Sequence, residues 1–224
     1  MDSAPKLWAQ FLFDHLKSLG FQQSKYDPCL FFKKGIMLAT YVDDIALAVE
    51  NKQHAHKLVE SLHDKGMRIN IEGDFTSFLG VSIKRSPDGT VELKQSGLID
   101  KVLKATNMED SNANRLPAAR DALGMDPDGT PFDEKWEYPS VVGMLIYLAT
   151  NSRPDISFAV SQVAQFNHKP KKSHGSAVKT LLRYLKGTED NGMTIKLKDG
   201  LVFDLHCDAD FAGLYKKDPD TSPT

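Results

Sequence analysis

Cysteine is nearly absent from this chain, which excludes a disulfide framework. Only Cys29 and Cys207 occur in 224 residues, far apart and without a partner at metal-ligand spacing. They read as free, buried thiols of a reducing compartment. Long apolar runs are missing too. No stretch approaches ~18 residues, so no helix is expected to cross a membrane, and no basic-then-apolar leader opens the chain. The seven histidines form no His-Glu-X-X-His pattern; His54, His56 and His63 on one polar helical stretch read as solvated. Excess charge is also lacking. Against 30 Asp and Glu stand 28 Lys and Arg, a net charge of −2, so contact with nucleic acid would need a local basic patch.

What is present is an ordinary globular composition, 41% hydrophobic and 26% charged, with length for one domain or two small ones. The most informative stretch is Tyr41-Val42-Asp43-Asp44. An apolar run from Ile36 to Val42 leads into it and another, Ile45 to Val49, leaves it. Both read as buried strands, with two adjacent carboxylates at a tight turn. Asp is a turn former through bonds to its own backbone, and that alone is one sufficient reading. The other starts from cost: two like charges at a half-buried turn repel unless a cation neutralises them. Magnesium takes one or two carboxylates together with substrate phosphates, and paired metals drive in-line phosphoryl transfer. Neighbouring strand residues point to opposite faces, which favours Asp43 as the direct ligand, with Asp44 beside it.

In chain order, Asp2-Ser3 and Pro5 open a helix. Its stripe Leu7, Trp8, Phe11, Leu12, His15, Leu16 and Leu19 reads as core, and Gly20 ends it. Asp27-Pro28 opens a strand from Cys29 to Lys33, with Asp27 a turn residue, and Lys34-Gly35 turns the chain. A helix is expected from Gln53 to Lys65. Phe78 to Arg85 reads as one strand, returned by Val91 to Gln95 across the Pro87-Asp88-Gly89 turn. Leu98, Ile99, Val102 and Leu103 suggest a short helix. Glu109 to Lys135 has no periodicity and is the best linker and domain boundary. Helices follow at Tyr138–Asn151, Ile156–Phe166 and Lys172–Lys186. On the last, Lys172, Lys179, Arg183 and Lys186 share one face at ~100° per residue. That face is either solvated or a phosphate-tracking ridge. Two strands, Met193–Lys198 and Leu201–Cys207, then form a hairpin ending in Asp208.

Six boxes in order resemble one family: Ser24-Lys25-Tyr26-Asp27-Pro28-Cys29-Leu30-Phe31, Tyr41-Val42-Asp43-Asp44, Phe78-Leu79-Gly80, Arg153-Pro154-Asp155-Ile156, Leu182-Arg183-Tyr184-Leu185-Lys186-Gly187-Thr188 and Asp208-Ala209-Asp210-Phe211-Ala212-Gly213. Together they look like the copia-type LTR retrotransposon polyprotein, running from its reverse transcriptase into its RNase H. The usual tryptophan of the last box is Phe211 here.

The resemblance implies an α+β fold. Residues 1–108 would be a partial palm (an antiparallel sheet with helices), 109–136 a linker, 137–190 a helical connection segment, and 191–224 the truncated RNase H-like hairpin. It also implies Asp43 and Asp44 as Mg2+ or Mn2+ ligands in RNA-directed DNA synthesis. Tyr41 and Val42 would lie at the primer–nucleotide junction, Phe78, Leu79 and Gly80 in the primer grip, and Asp208 would be a metal ligand of RNase H. Template-primer RNA/DNA and the rest of the polyprotein are the implied partners, with no membrane. The implied setting is a cytoplasmic virus-like particle, with the nucleus as the alternative. In that family another Asp and the nucleotide-binding fingers lie upstream of the box, so the chain by itself is expected to be inactive. The alternative is a non-catalytic nucleic-acid-binding or assembly remnant using helix 172–186, or the functionless product of a decayed element.

Overall fold

The computed structural model describes residues 4–119 and 123–196. Two compact units meet between Phe75 and Thr76.

In the first unit, α1 (Ala4–Ser18) precedes a four-stranded antiparallel sheet, and α2 (Lys52–His63) follows it. The strands are β1 (Gln22–Gln23), β2 (Leu30–Lys33), β3 (Ile36–Tyr41) and β4 (Asp44–Val49), adjacent in chain order. Short connections allow only antiparallel neighbours, and Gly35 at φ 73 supplies the left-handed residue of the β2–β3 turn. Period-2 alternation turns Leu38 and Thr40 of β3 inward. Phe31, opposite Leu38 in the register, joins them with Leu12 and Leu16 of α1 and Leu58 and Leu62 of α2. Asn51 caps α2 by accepting the Gln53 amide. The expected α1 stripe is only half core: Leu7 and Phe11 are exposed, and Phe13 packs inward on Phe31 instead, with ring centroids 5.0 Å apart. Cys29 is exposed rather than buried, because β2 begins one residue after it. Asp27 is the expected turn residue; its Oδ1 accepts the Cys29 amide at 2.8 Å.

The second unit begins with β5 (Ser77–Phe78), β6 (Val81–Arg85) and β7 (Thr90–Lys94), followed by α3 (Ser96–Ala105), α4 (Tyr138–Asn151), a 3-10 turn (Pro154–Ile156), α5 (Ser157–Ala164) and α6 (Lys172–Gly187). The strand β8 (Met193–Lys196) returns to pair antiparallel with β7, giving the order β5-β6-β7-β8. Ile99, Val102, Leu145, Leu148, Val178, Leu181 and Leu185 make the helical core. Two sequence expectations change here. The described residues of 109–136 do lack helix and strand, but they are stitched into this unit rather than linking two. The Asn114 amide donates to Arg183 O, the Leu123 amide to Gln162 Oε1, and Phe132 packs edge-on to Trp136 and Tyr138. And Met193–Lys196, expected to open a separate hairpin, is an edge of the β5–β7 sheet. The remainder of that expected hairpin lies outside the described residues.

Candidate active site

The register of β3 and β4 runs from Ile36↔Val49 to Tyr41↔Asp44. The loop is therefore Val42-Asp43 alone, and Asp44 is already the first residue of β4. The two carboxylates do not share the turn, as the sequence suggested: one is at its tip and the other at the strand start. Burial along β3 ends at Thr40, and Tyr41, Val42, Asp43 and Asp44 are all exposed. The expected half-buried turn is a solvent-facing one.

Val42 has φ 54. Two-residue hairpin loops need such a left-handed residue to match strand twist, but a β-branched side chain there costs on the order of 1–3 kcal/mol. Trp8 reaches across from α1, its indole Nε1–H donating to Val42 O at 2.8 Å. Helical periodicity puts Trp8 among the core residues and gives no signal of a partner 34 positions away.

Two exposed carboxylates fit what magnesium asks of a protein when water and substrate phosphates complete its shell. Among the described residues, no group of three or more His, Cys, Asp and Glu side chains converges.

Phe78-Leu79-Gly80 is not part of one long strand. Leu79 and Gly80, at φ 50 and φ 74, are a two-residue turn between β5 and β6. Glycine explains half of that turn; leucine gave no warning of the other half. The Tyr147 hydroxyl of α4 donates to Leu79 O at 2.6 Å and fixes the tip. A Cβ at Gly80 would meet nothing, so the space beside it is open.

The four cations of α6 do share its outer side, but carboxylates already face three of them. Lys172 pairs with Asp133 at 3.4 Å, Lys179 with Glu134 at 2.5 Å and Lys186 with Glu189 at 3.0 Å. Among the described residues, Arg183 has no such ion pair. Surface pairs of this kind are worth at most ~1 kcal/mol, so a phosphate could displace them.

Two of the sequence boxes meet in a buried polar cluster. Arg153 is 1% exposed. Its Nε and Nη2 grip both oxygens of Asp155 at 3.0 and 2.8 Å, while Nη1 and Nη2 reach Thr188 O and Oγ1 at 2.9 and 2.7 Å. The Tyr184 hydroxyl completes the set on Asp155 at 2.8 Å. Burial pushes the Asp155 carboxyl up, but the bonds from Arg153 and Tyr184 and the Arg153 charge outweigh it, leaving it below the usual carboxylate range. Burial, and then Asp155, push the Tyr184 phenol up. So Arg153-Pro154-Asp155 and Leu182–Thr188 lock the α4–α5 corner to the end of α6. Asp208 lies outside the described residues.

The family model described as "Reverse transcriptase (RNA-dependent DNA polymerase)" matches residues 1–120, from α1 through both candidate turns. The chain belongs to the reverse transcriptase family. Its relatives include the Pol polyproteins of copia-type retrotransposons. The chain is 34% identical over 95% of its length to the retrovirus-related Pol polyprotein from transposon RE1 of Arabidopsis thaliana. It is 32% identical, again over 95%, to that from transposon TNT 1-94 of Nicotiana tabacum. A putative transposon Ty5-1 protein of Saccharomyces cerevisiae is 26% identical over 96% of the chain and 71% of its own length. The chain spans only 15% of the RE1 polyprotein and 17% of the TNT 1-94 polyprotein. No solved structure matches.

Proposed function

We propose that this chain supplies the catalytic hairpin of an RNA-directed DNA polymerase, with Asp43 and Asp44 as its metal-binding carboxylates. The exposed end of the β3–β4 hairpin carries the reading: its tip and the first residue of β4 present two hard oxygen donors where a primer end and a triphosphate can approach without displacing core. Asp43 at the tip is the more accessible ligand, and Asp44, fixed by the β3 register, is the second. A divalent ion held there supplies charge stabilisation at the transferring phosphoryl group. Tyr41 and Val42 flank the carboxylates and bound the space for the reacting ends.

The Leu79-Gly80 turn serves the primer strand through close backbone approach. Lys172, Lys179, Arg183 and Lys186 track phosphates after exchanging their carboxylate partners. Asp208 belongs to a second, hydrolytic centre. Two carboxylates hold only part of a two-metal site, and catalysis of this kind rests on positioning and charge, so the chain alone is catalytically silent. The remaining ligands come from other parts of a Pol polyprotein, acting in a cytoplasmic particle. Primer-extension assays on the chain alone and joined to the polymerase segments of a related polyprotein test this, with Asp43→Asn as the control that must abolish any activity gained.

A further inference from the structure

We infer that Trp8 is a positioning residue for the Asp43–Asp44 turn, acting through the carbonyl of Val42; the inference rests on the metal-binding reading of that turn. Three observations converge. First, Val42 is a β-branched residue at φ 54, 57% exposed, in a loop only two residues long. Neither packing nor intrinsic preference holds it in the left-handed region. Second, the Trp8 indole N–H donates to its carbonyl oxygen at 2.8 Å from a different element. That carbonyl belongs to the peptide whose nitrogen is Asp43's own, so fixing it fixes the plane from which the Asp43 side chain departs.

Third, the indole is itself held in place. Its ring lies 6.2 Å from Phe11, which lies 4.3 Å from His15, and His15 Nδ1 is 2.7 Å from Phe11 O. This ladder runs along α1 to Leu12 and Leu16, which are anchored in the core. A core-filling indole also satisfies its N–H, but with whatever acceptor lies nearest. Trp8 instead aims its one donor at the strained residue beside the proposed ligand.

The consequence is specific. Without the indole donor, Val42 should relax toward ordinary dihedrals and the two carboxylates should lose their common orientation. Glycine at position 42 has no penalty at φ 54, so Val42→Gly should remove the need for the clamp. The expected interaction is non-additive, as it must be when one residue acts through another.

The test is a Mn2+ titration of the full chain followed by water-proton relaxation. Wild type, Asp43→Asn, Trp8→Phe, Val42→Gly and the Trp8→Phe/Val42→Gly double variant are compared, with backbone amide spectra of each. Trp8→Phe keeps the ring and loses only the donor. It should weaken Mn2+ binding about 3- to 10-fold, the scale of one hydrogen bond, and shift the Asp43 and Asp44 amides. The double variant should return to within about twofold of Val42→Gly alone. Unchanged Mn2+ affinity and unmoved amides in Trp8→Phe, with binding lost in Asp43→Asn, overturn the inference and leave the metal reading standing. Binding that persists in Asp43→Asn overturns the metal reading; the Asp43 and Asp44 amides then decide the Trp8 clamp by themselves. Should Trp8→Phe not fold, the unmodified chain decides: a slowly exchanging Trp8 indole proton supports the clamp, and one exchanging as in free peptide overturns it.

Discussion

Arg153 and Asp155 form a two-pronged ion pair in which the cation is buried and the anion is not: Nε–Oδ1 is 3.0 Å and Nη2–Oδ2 is 2.8 Å, with side chains 1% and 39% exposed. The asymmetry sets the cost of breaking it from each side. Removing Asp155 leaves Arg153 two bonds to Thr188 and access to water through the gap. Removing Arg153 leaves a cavity and takes away one of the two donors to Thr188 O, leaving the Asn191 amide at 3.0 Å, as well as the donor to Thr188 Oγ1. Arg153→Ala should therefore cost about 3 kcal/mol, and Asp155→Asn about 1 kcal/mol. Urea unfolding midpoints at unchanged slope check the order; equal losses would contradict it.

His174 gives the second unit a pH dependence. The side chain is buried, its Nδ1 accepting the Lys171 amide at 2.9 Å and its Nε2–H donating to Gly124 O at 2.9 Å, stacked 3.8 Å from Phe166. Burial lowers its pKa below 6.5; the Gly124 bond and the Asp126 charge oppose this, and Lys171 adds to it. The unfolded chain therefore binds the proton first as pH falls, and stability drops wherever the unfolded state holds more protons. This contribution is fully present above pH ~6.5 and is lost progressively down to the lower folded-state value. Thermal midpoints from pH 8 to 5 should fall in that window, and His174→Gln should flatten the curve there.

Gly192 is required by the return of β8. A Cβ on it would overlap Leu93 O, a backbone atom of the strand that β8 pairs with. Gly192→Ala should push the strand off and cost about 1–3 kcal/mol. Amide exchange of Ile195, opposite Val91, should accelerate more than exchange in α4.

The basic face of α6 should bind duplex DNA weakly. One phosphate contact from Arg183 gives a log–log salt slope of about −1, and all four cations give about −3.6. Freeing Lys172 and Lys179 by Asp133→Asn with Glu134→Gln should tighten binding and steepen the slope. Lys179→Glu with Arg183→Glu should abolish it without unfolding the chain.

Local signals carried most elements into the structure. The Ile36–Val49 hairpin, the Pro87-Asp88-Gly89 turn and helix Tyr138–Asn151 were legible because apolar period and turn chemistry agree there. Leu79-Gly80 was not, since leucine is a poor indicator of a left-handed turn. Residues 109–136 have a linker's composition, yet Asn114, Leu123 and Phe132 tie them down through partners 39 to 69 positions away or through aromatic packing. Distant pairing also hid the carboxylates opposite Lys172 and Lys179, the burial of Arg153 and the reach of Trp8. In the candidate site, sequence alone singles out Asp43 and Asp44 as candidates. Their exposure and their split between tip and strand were set by a register that only the fold displays.

Asp43 is the residue on which polymerase chemistry at this hairpin depends. The chain should be joined to the polymerase segments of a related Pol polyprotein, and single-nucleotide primer extension measured with Mg2+ and again with Mn2+. The chain alone should give no extension, and the fusion should extend the primer. That activity should be lost on Asp43→Asn and retained on Asp208→Asn. Extension by the fusion that survives Asp43→Asn would contradict that dependence on Asp43.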